Sequence, residues 1–329
     1  MKTALGDIEI VSRLGADERT LAFDAFDGLT KPFKELPPKH FYDTEGSRLF
    51  EAITHLPEYY PTRTERAILT ANADAIVEST HAAELVELGS GVPTKTLILL
   101  DAMRDAETLD RYVPFDVSEV VLTESAKMLV ERYPGLRVYG VVADFERHLD
   151  AFPPAEGPRV IAFLGGTIGN FPPGSRRRFL ASLARRLRPQ DRILLGTDLV
   201  KDPLILEAAY NDPQGVTAAF NRNILAVLNR ELDADFDLDA FEHVAFYDRE
   251  REWIEMRLRA LKPMVVRIEQ LNLDVHFANR EELRTEISAK FTRRRLEADF
   301  RAAGLVLHEF LTDPDDLFAL SLSGAAPAR

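Results

Sequence analysis

The chain has 329 residues, of which 46% are hydrophobic and 29% charged; it has no cysteine and a formal net charge of -13 at pH 7. That length predicts one large elaborated domain or two interleaved ones, and no apolar run reaches the ~20 residues of a membrane span. The acidic balance disfavours nucleic-acid binding, which needs a basic face to release counterions, and the lack of thiols rules out disulfides, zinc–thiolate sites and a cysteine nucleophile.

Residues 1–14 mix Lys2 with Asp7 and Glu9 and lack a continuous apolar stretch. No secretory signal is readable there, so cytoplasmic residence is the expectation. From residue 83 short apolar runs (84–88, 112–115, 136–142, 160–164 and 193–196) alternate with amphipathic stretches. This is how the strands and crossover helices of a parallel sheet read. Ser118 stands as an N-cap before a helical pattern in which Val121, Leu122, Leu129, Val130 and Tyr133 share a face, ended by Pro134-Gly135. A second helix is expected over 175–187, before Pro189. Together these pieces predict a doubly wound, Rossmann-like α/β domain.

After Asp198 the rhythm changes. A helix is expected over 217–232, then strands with one exposed face, among them one carrying Ile254, Met256, Leu258 and Ala260. A helix over 292–303, stopped by Gly304, precedes a hairpin of 305–311 and 318–322 that could close the sheet. The pattern predicts an inserted α+β substrate-binding domain, formed by 1–62 with 200–288, on a cofactor-binding domain formed by 63–199 with 289–329.

The first run of the α/β pattern leads into Glu87-Leu88-Gly89-Ser90-Gly91, with Thr94 where the third glycine of a dinucleotide fingerprint would stand. That departure weakens a nicotinamide reading, and the motif alone could be a tight strand-to-helix turn. The next strand ends in Asp116, placed to accept hydrogen bonds from two ribose hydroxyls. A third ends in Asp144-Phe145, a carboxylate for an adenine amino group beside a ring that packs on the base. Either acid alone could be a solvated turn residue; three successive strand ends of this kind predict an adenosine site. No phosphate-binding glycine–lysine motif and no histidine pair at metal-ligand spacing accompanies it, so no metal is expected. Adenosine binding without either points to S-adenosylmethionine, whose sulfonium carries a reactive methyl group.

Longer motifs carry a resemblance. They are Leu36-Pro37-Pro38-Lys39 with Phe41-Tyr42-Asp43, Leu56-Pro57-Glu58-Tyr59-Tyr60-Pro61-Thr62-Arg63, and Phe163-Leu164-Gly165-Gly166-Thr167-Ile168-Gly169-Asn170. Further on come Gly196-Thr197-Asp198-Leu199-Val200-Lys201-Asp202, Ala218-Ala219-Phe220-Asn221-Arg222-Asn223 and Thr285-Glu286-Ile287-Ser288-Ala289-Lys290-Phe291. In these the chain after about residue 30 resembles the L-histidine Nα-methyltransferase family of ergothioneine biosynthesis, whose fold is a class I methyltransferase sheet. The resemblance implies that Tyr42, Gly89, Lys95, Asp116, Asp144, Phe145 and Gly165 contact S-adenosylmethionine. It also implies that Asn170 and Tyr210 hold the amino-acid head group, that Tyr59 lies beside the substrate, and that Met256, Glu286 and Ser288 surround its side chain.

Glu286 and Ser288 stand two apart on an extended segment and project to one side, where a carboxylate can accept a ring N–H and a hydroxyl can donate to the other ring nitrogen. Without the family, Glu286 could equally be a strand-edge ion pair and Met256 plain core. Methyl transfer to an amine is an in-line displacement, so positioning by Asn170 and Tyr59 is expected to carry the catalysis, with water near them removing the proton. No dedicated general base is evident. The same chemistry on another amino acid such as tryptophan, a non-catalytic adenosine-binding protein and a nicotinamide-dependent oxidoreductase are the competing readings. The expected partner is a small molecule, L-histidine, with no nucleic acid and no membrane, and the expected state is a monomer.

Overall fold

The computed structural model describes residues 2–5, 7–14, 20–91 and 93–327. The chain opens with a hairpin, β1 (Lys2–Leu5) and β2 (Ile8–Ser12), followed by helix α1 (Leu21–Leu29), a short strand β3 (Lys34–Glu35), a 3-10 turn over Pro38–Phe41 and helix α2 (Thr44–Thr54). Helix α3 (Tyr60–Thr80) leads into the alternating part. This comprises β4 (Glu84–Leu88), α4 (Thr96–Asp105), β5 (Arg111–Asp116), α5 (Glu119–Arg132), β6 (Arg137–Val142), β7 (Arg159–Phe163), α6 (Pro173–Ala184) and β8 (Arg192–Asp198). Beyond it come α7 (Pro203–Tyr210), α8 (Val216–Leu232) and strands β9 (Phe241–Asp248), β10 (Trp253–Ala260), β11 (Met264–Ile268), β12 (Leu273–Phe277) and β13 (Glu282–Ala289). Helix α9 (Arg293–Ala303) and a hairpin, β14 (Leu305–Thr312) and β15 (Phe318–Ala325), complete it.

Nine strands form one sheet in the order β1-β2-β6-β5-β4-β7-β8-β15-β14. From β2 to β8 neighbouring strands run parallel, while β15 pairs antiparallel with β8 and β14 with β15. The order reverses at β4, whose neighbours are β5 on one side and β7 on the other, so the carboxyl ends of β4, β5 and β7 border the crevice where such sheets bind ligands. Alternation along the central strands feeds two cores. Leu85, Tyr112, Val138, Val160 and Leu194 pack with residues of α3, α4 and α5, while Val86, Val113, Val141, Ile161, Ile193 and Leu195 pack with residues of α6 and α9. Burial on both faces explains why these strands read as continuous apolar runs.

The expected helix boundaries have their physical causes in place. The Ser118 hydroxyl accepts the Val121 amide at the start of α5, and Thr292 caps α9 in the same way. Gly304 ends α9 in the left-handed conformation, at φ 81°. Helix α6 starts two residues earlier than expected because Pro173 occupies the first turn, where its missing N–H costs nothing.

The segment after β8 builds a second body around its own core, in which Phe220, Ile224 and Leu228 of α8 meet Ile254, Met256 and Leu258 of β10. Its sheet runs β3-β13-β10-β9, with β11-β12 as a separate ribbon. Of residues 1–62, grouped with this body in the sequence reading, α1, β3 and α2 pack here, whereas the β1–β2 hairpin lengthens the large sheet through β6. The inserted segment leaves and rejoins the large sheet at one place, where the Phe291 amide donates to the Asp198 carbonyl (2.8 Å) and the Val200 amide to the Phe291 carbonyl (2.9 Å).

Candidate active site

The end of β4 turns through Gly89 and Gly91 before α4. Gly89 has φ +68°, a conformation costly for residues with a Cβ, and a Cβ there would come 3.3 Å from the Phe145 ring. The first and third strand ends therefore touch. The second joins them through Asp116, whose two carboxylate oxygens accept the Gly91 amide (2.9 Å) and the Ser118 amide (3.0 Å). A carboxylate offers about four lone-pair positions, so each oxygen keeps one for a further donor. Phe145 packs edge-on against Phe163 and Phe179, and the neighbouring Asp144 lies 4.0 Å from the Lys39 ammonium.

Lys95, immediately before α4, reaches the carboxylate of Glu65 on α3, which is fully buried. Glu65 also accepts the Gly165 amide at 2.8 and 2.9 Å, and it lies against Gly196 so closely that a Cβ there would stand 2.1 Å from Oε1. One buried carboxylate thus holds two of the expected cofactor contacts together. Sequence reasoning missed Glu65, because nothing within its own helix marks it.

The expected substrate residues meet on the facing side. In the antiparallel pairing of β10 with β13, Met256 stands opposite Glu286 and Ile254 opposite Ser288. Tyr210, at the end of α7, donates to Ser288 Oγ (2.8 Å) and packs edge-on against Tyr59, 6.3 Å between ring centroids. Its backbone carbonyl is held by His243 (2.9 Å), whose other ring nitrogen meets Asn221. Tyr42 lies against Phe50 and Phe220 with 49% of its surface accessible. Its hydroxyl end lies deep among protein groups, and burial together with the Glu286 carboxylate and Tyr210 pushes that phenol above its usual range. Asn170 ends a 3-10 turn, Thr167–Asn170, that is packed on β13: a Cβ on Gly169 would come 2.9 Å from the Ala289 carbonyl and 3.5 Å from Ser288 Oγ.

The electrostatics of this cleft are unusual. Burial pushes the Glu286 carboxyl up to about 7 against the pull of Lys290, and among the described residues it accepts no hydrogen bond. Tyr59 and Tyr210 are likewise held well above the usual phenol range, by burial first; Tyr210 and Tyr42 come next for Tyr59, and Glu286 and Asp198 act on both. Beneath them lies a buried ionic cluster absent from the sequence expectations. Asp198 takes Lys290 (2.8 Å), Lys201 and the Tyr60 hydroxyl (2.8 Å), and the two ammoniums outweigh burial and keep its carboxyl low. Burial in turn brings Lys201 down to about 8.

Every residue expected at the site therefore lies in one of two adjoining groups. Gly89, Asp116, Asp144, Phe145, Lys95 and Gly165 gather at the strand ends, while Tyr59, Asn170, Tyr210, Met256, Glu286 and Ser288 gather where the second body faces them; Tyr42, expected at the cofactor, stands with this second group, near Glu286 and Tyr210. The arrangement sets a strand-end carboxylate and an aromatic ring, Asp116 and Phe145, beside a polar cleft that holds the half-buried Glu286 carboxylate.

Comparison with known proteins accords with this geometry. Residues 21–325 match the family model described as histidine-specific methyltransferase, SAM-dependent. The histidine N-alpha-methyltransferase of Mycolicibacterium smegmatis is 51% identical over 318 residues, 96% of this chain and 99% of the relative, and that of Mycobacterium tuberculosis is 50% identical over the same shares. Ergothioneine biosynthesis protein 1 of Schizosaccharomyces pombe is 34% identical over 227 residues, 66% of this chain and 29% of that larger protein.

Proposed function

Because the chain belongs to the family of S-adenosylmethionine-dependent, histidine-specific methyltransferases, we propose that it methylates the α-amino nitrogen of free L-histidine three times in succession, giving hercynine. S-adenosylmethionine is the cofactor, and histidine methylation in ergothioneine synthesis is the activity. In our reading, residues 63–199 with 289–329 bind the cofactor and 20–62 with 200–288 bind the substrate, in a monomer working in the cytoplasm without nucleic acid.

The residues present fit the cofactor. Asp116 keeps two acceptor positions for the ribose hydroxyls, Phe145 and Asp144 supply a packing surface and an acceptor for adenine, and Lys95 supplies a cation for the methionyl carboxylate. Tyr42, Gly89 and Gly165 complete that contact set. Bound there, the cofactor supplies a sulfonium methyl group for in-line transfer.

The observation that carries the substrate reading is Glu286. A half-buried carboxylate that accepts no hydrogen bond among the described residues, flanked by Met256 and Ser288, suits a ring N–H as its partner. Asn170 and Tyr210 hold the head group, and Tyr59 lies against Tyr210 beside the reacting nitrogen. The chain's own part in each transfer is to hold an uncharged amine in line and let one proton leave per methyl added. The tyrosine faces also suit the growing methylammonium charge.

The test is mass spectrometry of the protein incubated with S-adenosylmethionine and the twenty free amino acids. Trimethylated histidine as the only end product supports the proposal. A different methylated amino acid would overturn the role of Glu286, and absence of any methylated product would overturn the proposal as a whole.

A further inference from the structure

We propose that Lys290 is a positioning residue for ring recognition: its three N–H groups commit Ser288 to donate and its charge favours the ionised, accepting form of Glu286, so the cleft selects histidine with a neutral imidazole. This rests on the reading of Glu286 and Ser288 given above.

The argument is a count of donors and acceptors. Lys290 is fully buried, and an ammonium has three N–H groups and no acceptor. Those three go to Asp198 Oδ2 (2.8 Å), Ser288 Oγ (2.8 Å) and Tyr210 Oη (3.1 Å). Ser288 Oγ also accepts from the Tyr210 hydroxyl (2.8 Å), so both of its lone pairs are taken. The one capacity left to Ser288 is its own proton, which suits an unprotonated ring nitrogen. An imidazolium presents two N–H groups, and Ser288 has no lone pair for the second.

Glu286, Ser288 and Lys290 follow one another at every second position of an extended segment and so share a side. The charged and titratable groups facing Glu286 are Lys290, Tyr42, Tyr59 and Tyr210, of which Lys290 alone is a cation. Lys290 itself faces Asp198, Lys201, Tyr210, Tyr247 and Glu286. Asp198 anchors it at the point where the inserted segment leaves and rejoins the large sheet, so one ion pair clasps the stem and orders the ring-reading side chains.

Kinetics of Lys290→Met and Lys290→Arg, set beside Ser288→Ala and Glu286→Ala, test this. Lys290→Met should raise KM for histidine about tenfold or more with kcat little changed. It should leave the Kd of S-adenosylmethionine unaltered and move the acidic limb of kcat/KM upward by about half a unit, because Glu286 has lost its cation. Lys290→Arg should restore the limb, since the charge returns. In a Ser288→Ala background the same Lys290→Met step should cost clearly less in KM than in the parent. If Lys290→Met does not fold, Lys290→Gln removes the charge while leaving Asp198 paired with Lys201, and should still move the acidic limb upward. A folded variant with unchanged histidine KM and acidic limb overturns the proposal. If Ser288→Ala and Glu286→Ala themselves leave histidine KM unchanged, the ring reading fails instead and takes this one with it.

Discussion

Glu286, proposed above to read the ring, carries a cost for its own fold. Burial raises its carboxyl from 4.5 to about 7, so between those values the folded state binds more protons than the unfolded one. Its contribution to stability is therefore fully present below about 4.5 and is lost as pH rises through about 7. Glu286→Gln removes that loss. The ligand-free variant should melt higher than the parent at pH 8, by about 2 °C, with the difference fading towards pH 5 in thermal scans. The same variant should bind histidine about tenfold more weakly, since an amide is a poorer acceptor for the ring N–H. A variant that is neither more stable at pH 8 nor weaker for histidine would place the carboxylate outside the recognition set.

At the level of elements, the edge proposed for the cofactor depends on close approach between α3 and β8. Gly196 exists for want of space: a Cβ would overlap Glu65, which holds the Gly165 amide and Lys95. Gly196→Ala should push Glu65 away, cost about 1–3 kcal/mol by overpacking and weaken S-adenosylmethionine binding about tenfold. Calorimetry and a denaturant melt read the two effects, and a destabilised protein with unaltered cofactor affinity would show that Glu65 is structural only. Sequence patterns had no access to this contact; the start of α3 itself has a local cause, since Pro61 stands in its first turn, where proline is favoured.

For the molecule as a whole, the residues proposed for each ligand come from both bodies: Asn170, proposed for the substrate, follows β7 of the large sheet, and Tyr42, proposed for the cofactor, packs on Phe220 of the second body. Lys39, from the segment before α2, reaches across to Asp144 beside the adenine edge. We expect a ligand on one side to order part of the other, and such coupling is reciprocal. Histidine should therefore bind about fivefold or more tightly when S-adenosylhomocysteine is present, measured by isothermal titration. Identical affinity with and without it would mean that the two ligands are held independently.

Much of this protein was legible in the residues alone. The strand runs, the Ser118 and Thr292 caps, the Gly304 stop and the strand-end positions of Gly89, Asp116 and Asp144 are local matters of periodicity, capping and turn chemistry, set within a few neighbours. The motifs around Tyr42, Tyr59, Asn170 and Glu286 carried the family. What folding alone decided are the meetings of distant charges: Glu65 with Lys95 and the Gly165 amide, and Asp198 with Lys201 and Lys290. A buried charge is tolerated only where its partner is delivered by another element, and that delivery depends on how β8, α3 and β13 pack. The β1–β2 hairpin makes the same point, since its place beside β6 depends on a free sheet edge that no local pattern announces.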